Sequence, residues 1–371
     1  MSHSRLFEPL PMARGPALKN RLMLAPLTNQ QSHADGCLSD GEIRWLTMRA
    51  AGGFALVMTA AAPVQQVGQG YPGQLGIFED RHVDGLTRFA KAVRDKGSIS
   101  SVQLYHGGER ADPDLVGTPV APSDGSRNGA KGLTLAEVEQ LRDDFIAAAL
   151  RAEKAGCDGI QIHGAHGYIL AQFLSPVINR RGDAYGGNLE NRARLMLEVI
   201  GGIRRQCRPD FQVGLRLSPE RFGMRLAEVR EVTQEILRQG QIDYLDMSLW
   251  DATKEPHEEE FHGRSLLSHF TELDRGHVRL GVAGKIMDAV TASKLIDAGC
   301  DFVTVGRAAI LRHDFPRQAL RDPDYASPAQ PIAAGHLRAE GATDEFIAYL
   351  RTFSGFVAED VEPEKASPPP C

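Results

Sequence analysis

Apolar and polar positions alternate in short runs along the chain, and each run is followed by a segment with a helical period. The runs cover residues 21–25, 54–59, 100–105, 159–163, 212–217, 242–248, 278–283 and 302–305. Helix start signals lie between them. Ser39-x-x-Glu42 and Thr134-x-x-Glu137 have capping-box spacing, in which a hydroxyl and a carboxylate satisfy the first free backbone N–H groups. The second precedes Leu135, Val138, Leu141, Phe145 and Ala149, which share one helical face. Gly52-Gly53 ends the first helix, and further helices are predicted over 83–96, 188–205, 226–239 and 288–298. Eight strand–helix alternations without a break halfway predict an α/β fold, a (β/α)8 TIM barrel, rather than an open doubly wound sheet.

Three connections are longer than a turn requires: 60–76 after the second run, 106–132 after the third and 249–277 after the sixth. Long loops in a compact domain usually carry function, and all three fall at the C-terminal ends of strands, the active face of this barrel. Residues 1–355 are therefore expected to form a single barrel domain. Residues 356–371, ending in Ser-Pro-Pro-Pro-Cys371, are expected to be a disordered Pro-rich tail.

Composition narrows the partners. The chain has 371 residues with 42 basic against 48 acidic side chains, a formal net charge of −6, and so no general attraction for nucleic acid or an anionic membrane. No apolar stretch approaches the roughly 20 residues that span a bilayer. The first residues lack a secretory pattern, so a cytoplasmic protein is expected. Five scattered cysteines without a C-x-x-C spacing argue against a disulfide framework, a zinc ribbon or an iron–sulfur cluster. Association between copies of the chain is left open.

Strand parity brings in chemistry. Val102 and Leu104, Ile160 and Ile162, and Val213, Leu215 and Leu217 form apolar sets that belong against the helices. Gln103, His163 and Arg216 then look inward near the top of the barrel. A buried guanidinium needs an anion or several acceptors. Its bland partner is Asp246 or Glu220, but together with Gln103 and the histidines a ligand is the better reading. His163-Gly-Ala-His166-Gly-Tyr168 adds two imidazoles and a phenol, which supply hydrogen-bond donors and a proton source. No H-E-x-x-H accompanies them, which weighs against zinc. The last two runs end in Gly284-Lys285 and Gly306-Arg307, where barrels of this kind commonly hold phosphate. Two motifs are set aside. Gly68-Gln-Gly-Tyr-Pro-Gly73 contains Pro72 and opens no helix, so it reads as a loop. His257-Glu-Glu-Glu-Phe-His262 reads as a solvated acidic run.

Taken together, these residues resemble the Old Yellow Enzyme family of FMN-dependent ene-reductases. The most specific stretch runs from His163 through Gln172, Ser175-Pro176 and Asn179 into Arg181-Gly-Asp-Ala-Tyr-Gly-Gly-Asn-Leu-Glu-Asn-Arg192. Asn20-Arg21, Ala25-Pro-Leu-Thr28, Val102-Gln-Leu-Tyr-His-Gly-Gly-Glu-Arg110 and Val305-Gly-Arg307 add to it. The resemblance implies noncovalent FMN at the barrel mouth. Pro26, Leu27, Thr28 and Ala60 would lie along the isoalloxazine, Gln103 on its pyrimidine side and Arg216 near its N1 edge. Gly284, Lys285, Gly306 and Arg307 would hold the phosphate.

It also implies NAD(P)H as reductant and an electron-poor alkene as substrate in a ping-pong cycle. His163 and His166 would bind the carbonyl or nitro oxygen, and Tyr168 would protonate the α-carbon while hydride reaches the β-carbon from the flavin. Tyr105 would line the substrate pocket. Thr28 stands where one branch of the family has a redox-tuning cysteine, and His166 where other members have asparagine. Two rivals stay open: an FMN-dependent amine or N-methyl dehydrogenase, and a flavin-free phosphate-binding barrel lyase or isomerase.

Overall fold

In-register pairing turns the alternation along each run into a two-sided wall. The computed structural model describes residues 2–125 and 127–359. Eight parallel strands hydrogen bond in chain order: β1 (Leu22–Leu24), β2 (Leu56–Pro63), β3 (Ile99–Tyr105), β4 (Gly159–Gly164), β5 (Gln212–Leu217), β6 (Tyr244–Ser248), β7 (Arg279–Ala283) and β8 (Phe302–Val305). β1 pairs with β8 and closes the barrel. Around it lie α1 (Asp40–Ala51), α2 (Val83–Arg94), α3 (Leu135–Lys154), α4 (Leu189–Gln206), α5 (Leu226–Gln239), α6 (Ser268–Thr271), α7 (Ala289–Asp297) and α8 (Arg307–Leu311). One capping box forms in full and the other by half, since the Glu42 carboxylate accepts from Asn29 and Ser32 rather than from the Ser39 N–H. Ser39 Oγ accepts from the Glu42 N–H at 3.1 Å, and Thr134 and Glu137 cap each other reciprocally at 3.3 and 2.7 Å.

The outward apolar parity, including Val102, Leu104, Ile160, Ile162, Val213, Leu215 and Leu217, is buried in one large core with the inner faces of the helices. The barrel interior is a separate cluster. Met23, Met58, Ile99, Tyr244 and Phe302 fill its floor, with Leu10 and Leu18 of the N-terminal segment packed on them. Gly214 and Gly281 make room for two of these rings. A Cβ at either would come within 2.1 Å of Tyr244 or 2.0 Å of Phe302. The plug is apolar below, so the polar inward residues of the same strands gather at the upper mouth.

Three expectations change. β2 continues past Thr59 to Pro63, through a bulge between Met58 and Ala61, so Ala60 lies in a strand rather than a loop. The Ala-Ala-Ala-Pro sequence has little strand character of its own, and pairing with β3 supplies what propensity does not. The sixth helix is a single turn, α6, because residues 249–277 carry Pro256, Gly263 and Gly276 and no sustained apolar period. The tail begins later than expected: Phe356 is buried and Val357 bridges Ile332. Residues 360–371 of the expected disordered tail lie outside the described residues.

A buried arginine fastens the C-terminal segment to this frame. The guanidinium of Arg49 on α1 stacks 3.8 Å from the Trp45 ring and donates to the carbonyls of Trp45, Ala309 and Glu340 at 2.8–3.2 Å. Replacing it strands these acceptors in a dry core, where each lost charged hydrogen bond costs about 1.5–3 kcal/mol. Arg49→Ala is expected to lower unfolding free energy by at least about 3 kcal/mol. A denaturant midpoint equal to that of the native chain would remove Arg49 from this role.

Candidate active site

Backbone strain marks the face that carries the chemistry. Among the described residues seven non-glycines have positive φ: Gln30, Asn128, His166, Arg221, Phe222, Trp250 and Lys285. Every one sits in a loop that leaves the C-terminal end of a barrel strand. Such conformations cost roughly 1–3 kcal/mol each and persist where the surroundings hold them, commonly at functional sites.

The turn after β4 shows how the fold builds the site. His166 at φ 60° and Gly167 at φ 72° double the chain back, so the imidazole of residue 166 returns to that of residue 163. A Cβ on Gly167 would strike the Phe222 ring at 2.6 Å, so the turn tolerates glycine alone. Ser218 Oγ holds the His166 N–H at 3.0 Å. Gln172, fully buried on the short helix Ile169–Leu174, ties the β3 and β4 loops together. Its amide donates to Gly107 O (3.2 Å) and Gly167 O (2.8 Å) and accepts from the Glu109 N–H (3.2 Å).

At the mouth, polar side chains form a connected chain across the barrel. Gln103 Nε2 donates to Gln161 Oε1 at 2.7 Å, and Gln161 Nε2 to Asp246 Oδ2 at 3.3 Å. Arg216 Nε lies 3.5 Å from Asp246 Oδ2, and its NH2 donates to Ser248 Oγ at 3.3 Å. Ser248 Oγ is 2.7 Å from His166 Nε2, and His166 Nδ1 is 3.3 Å from His163 Nε2. His163 Nδ1 accepts from the Ala165 N–H at 3.2 Å. This pattern assigns the tautomers: His163 is protonated on Nε2 and donates to His166 Nδ1, and His166 donates from Nε2 to Ser248. Tyr168 closes the group, its ring 5.0 Å from His163 and 4.5 Å from Tyr105, edge to face in both cases.

Electrostatics keep both imidazoles neutral. Burial, the neighbouring His166 and the Arg216 charge push His163 well below the ordinary histidine range. Burial, Arg216 and Arg110 push His166 down to about 3. His106, buried behind Gly68, also falls to about 3 through burial. Unfolded histidines titrate near ~6.5, so below that pH the unfolded chain takes up protons that the folded one excludes. Stability from these groups is complete above pH ~6.5 and is lost as pH falls toward their folded values. His106 and His166 together should remove about 4 kcal/mol between pH 7 and 5. A urea midpoint unchanged from pH 7 to pH 5 would contradict this.

The mouth fits the FMN that the resemblance implies. Arg216 is 6% exposed, its Nε has no hydrogen bond, and among the described residues its guanidinium bonds only Ser248. Asp246 thus holds this cation without saturating it. Arg307, at the end of β8, is exposed and makes no hydrogen bond or ion pair among the described residues, as an arginine reserved for an anion would be. Gly284 abuts the backbone of Asp251 and Ala252, and a Cβ there would lie 2.7 Å from the Ala252 nitrogen. Gly306 is less constrained, its nearest neighbours being at 3.6 Å. Lys285 is already paired with Asp251 Oδ2 at 3.1 Å and is 66% exposed, so an anion would have to compete for it. Pro26, Leu27 and Thr28 are half-buried after β1, and Ala60 is buried at the β2 bulge.

Sequence reasoning passed over part of this set. Gln161 and Ser248 share the inward parity of His163 and Arg216, so their signal was present in the alternation, and Asp246 entered only as a partner for Arg216. Trp250 and Arg221 carried none. Arg221 Cζ lies 5.4 Å from the exposed Trp250 ring, which in turn meets His166 at 6.4 Å, and only the loop geometry joins them. The glycines of the discarded G-x-G pattern have a packing reason. Gly68 lies against His106, and a Cβ on Gly70 would sit 2.6 Å from the Tyr105 hydroxyl.

Comparison with known proteins identifies the family. A probable NADH-dependent flavin oxidoreductase, YqiG, of Bacillus subtilis (strain 168) is 34% identical over 318 residues, covering 82% of this chain and 85% of that one. The NADH:fumarate oxidoreductase of Klebsiella pneumoniae (strain 342) is 32% identical over 85% of this chain, which spans only 36% of that longer relative. Among solved structures, the old yellow enzyme homologue from Zymomonas mobilis superposes with a TM-score of 0.78 at 27% identity, over 92% of this chain and 99% of that one. The family model for the NADH:flavin oxidoreductase / NADH oxidase family matches residues 5–323, and the chain belongs to that family of FMN-dependent oxidoreductases, as its likeness to Old Yellow Enzyme implied.

Proposed function

We propose that the protein is an ene-reductase that reduces activated C=C bonds, those of α,β-unsaturated carbonyls and nitroalkenes, with NAD(P)H in a ping-pong cycle, as a cytoplasmic enzyme. One observation carries the reading: two neutral imidazoles and a phenol converge beside a buried, unsaturated arginine at the barrel mouth. FMN, when bound, would supply the hydride chemistry between NAD(P)H and the β-carbon of the alkene.

The protein's side chains do the rest. An entering carbonyl or nitro oxygen accepts the His163 Nε2–H hydrogen bond in place of His166 Nδ1, and that bond strengthens as charge develops on the oxygen. Because each imidazole is neutral near neutral pH and keeps one N–H, both act as hydrogen-bond donors and not as acids. The acid is Tyr168, beside His163 and Tyr105, which gives its proton to the α-carbon. Arg216 would stabilise negative charge on the reduced cofactor, and Gln103, held by Gln161, would offer its amide to the cofactor ring. Arg307, Gly284, Gly306 and Lys285 would hold the phosphate.

Isotope placement tests the assignment. With unlabelled NAD(P)H in D2O, 2-cyclohexenone should yield a saturated ketone whose single carbon-bound deuterium from the reduction is at the α-position, since the tyrosine proton exchanges with solvent. An α-carbon that gains no deuterium, or no saturated ketone, would refute it. Reduction of the flavin by an amine in the absence of NAD(P)H would favour a dehydrogenase instead.

A further inference from the structure

Arg110 is half-buried at the rim of the site, and the reading above gives it no task. Its guanidinium lies 5.4 Å from the Tyr168 ring centre and 5.8 Å from that of Phe222. Among the described residues its side chain makes no hydrogen bond and no ion pair. The acidic groups of the rim are engaged elsewhere. Glu109 accepts the Arg127 N–H, Glu220 is held by Lys254 and the His257 N–H, and Asp251 takes Lys285 and Thr253.

Arg221, whose neighbour in the chain is Phe222, is a second guanidinium on this rim, bonded at 2.9 Å to a histidine nitrogen and to no carboxylate. Stacking on a ring is worth about 0.5–1 kcal/mol at such sites and replaces neither the water nor the acceptors that a guanidinium gives up on burial. The Arg110 charge also reaches the site, where it helps hold His166 neutral.

We propose that Arg110 is the anchor for a carboxylate carried by the alkene substrate, so that the preferred substrates are unsaturated keto acids and related anionic alkenes rather than neutral enones. This rests on the reading that the alkene binds between His163, His166 and Tyr168. Position selects the alkene over the coenzyme as the source of the anion. Arg110 stands over the residue that protonates the α-carbon, and a carboxylate on an alkene carbon is one bond from the reacting pair. The coenzyme's phosphates are separated from its nicotinamide by a whole ribose. An arginine and a carboxylate meet in a charge-assisted, frequently bidentate contact, which fixes which alkene carbon faces Tyr168 as well as adding affinity. Arg221 extends the same positive rim.

The test compares (E)-4-oxopent-2-enoate with its methyl ester as oxidants of the NAD(P)H-reduced holoenzyme, in the native protein and in Arg110→Met and Arg110→Lys. The native carboxylate-to-ester ratio of kcat/KM should exceed about tenfold, fall to near unity in Arg110→Met, and recover in part in Arg110→Lys. A native ratio near unity, or one that survives in Arg110→Met, overturns the proposal. So does a variant whose defect is confined to reduction by NAD(P)H, since that places the anion on the coenzyme. Unless the acid, the ester or 2-cyclohexenone reoxidises the native enzyme, the ene-reductase reading itself fails. If one does and the ratio does not respond, only the carboxylate anchor fails.

Discussion

Arg216→Leu is expected to lose about 3–5 kcal/mol of folding stability, because it leaves the fully buried Asp246 carboxylate without a cation. Gln161 is the one side chain that donates a hydrogen bond to Asp246 among the described residues, at 3.3 Å, and an amide cannot replace a charge. Asp246→Asn in the same chain should restore most of that stability, since the carboxylate is then gone as well. FMN affinity separates the two roles of the arginine. It should fall at least about tenfold in Arg216→Leu and stay low in the double variant, where the fold is rescued and the charge facing the cofactor is not. Equal stability in the single variant would mean that the pair contributes nothing to folding. Native FMN affinity in the double variant would take Arg216 out of the cofactor site. Thermal unfolding and FMN titration of the three proteins measure both quantities.

The second large effect is expected in one half of the cycle only. His163→Ala removes an N–H donor aimed at the developing oxyanion, and such losses slow chemistry by about 10²–10³-fold. Tyr168→Phe removes the proton donor and keeps the ring that packs on Tyr105 and His163, with a cost in the range of about 10²–10⁴-fold. Both losses should appear when an enone reoxidises the reduced enzyme. Reduction by NAD(P)H needs neither an oxyanion donor nor an acid, so Tyr168→Phe should change it by less than about threefold. Stopped-flow measurement of each half separates the cases. A Tyr168→Phe variant slowed equally in both halves would point to a packing role for Tyr168, and unchanged reoxidation in His163→Ala would take His163 out of the oxyanion site.

Most of the barrel could be read from the sequence because its strands alternate cleanly. Val102, Gln103, Leu104 and Tyr105 state their faces without reference to the rest of the fold, and a one-residue slip would exchange every face. The same alternation located Gln103, His163 and Arg216 at the mouth, and it contained Gln161, Asp246 and Ser248 as well. Reading failed where tertiary contacts decide the outcome. Ala60 to Pro63 form a strand only because β3 lies beside them.

The stretch that most strongly signals the family is chiefly scaffold. Asn179 Nδ2 bridges the carbonyls of Phe173 and Tyr185 at 2.7 Å, and Arg192 pairs with Glu228 at 2.7 Å and with the Leu174 carbonyl. Those residues shape the loop that carries Tyr168 and do not themselves enter the site. Arg110 and Trp250 could not have been placed from sequence, because their neighbours Phe222 and Arg221 come from a loop more than a hundred residues from Arg110 and about thirty from Trp250.

The central claim is that this barrel mouth holds FMN and passes reducing equivalents from NAD(P)H to an activated alkene. An anaerobic titration of the FMN-reconstituted protein, followed by visible absorbance, tests it most directly. One equivalent of NADH or NADPH should bleach the bound flavin, and one equivalent of 2-cyclohexenone should then restore the oxidised spectrum with no oxygen present. A folded protein that binds no FMN, or whose bleached flavin stays reduced through excess enone and excess nitroalkene, would contradict the account.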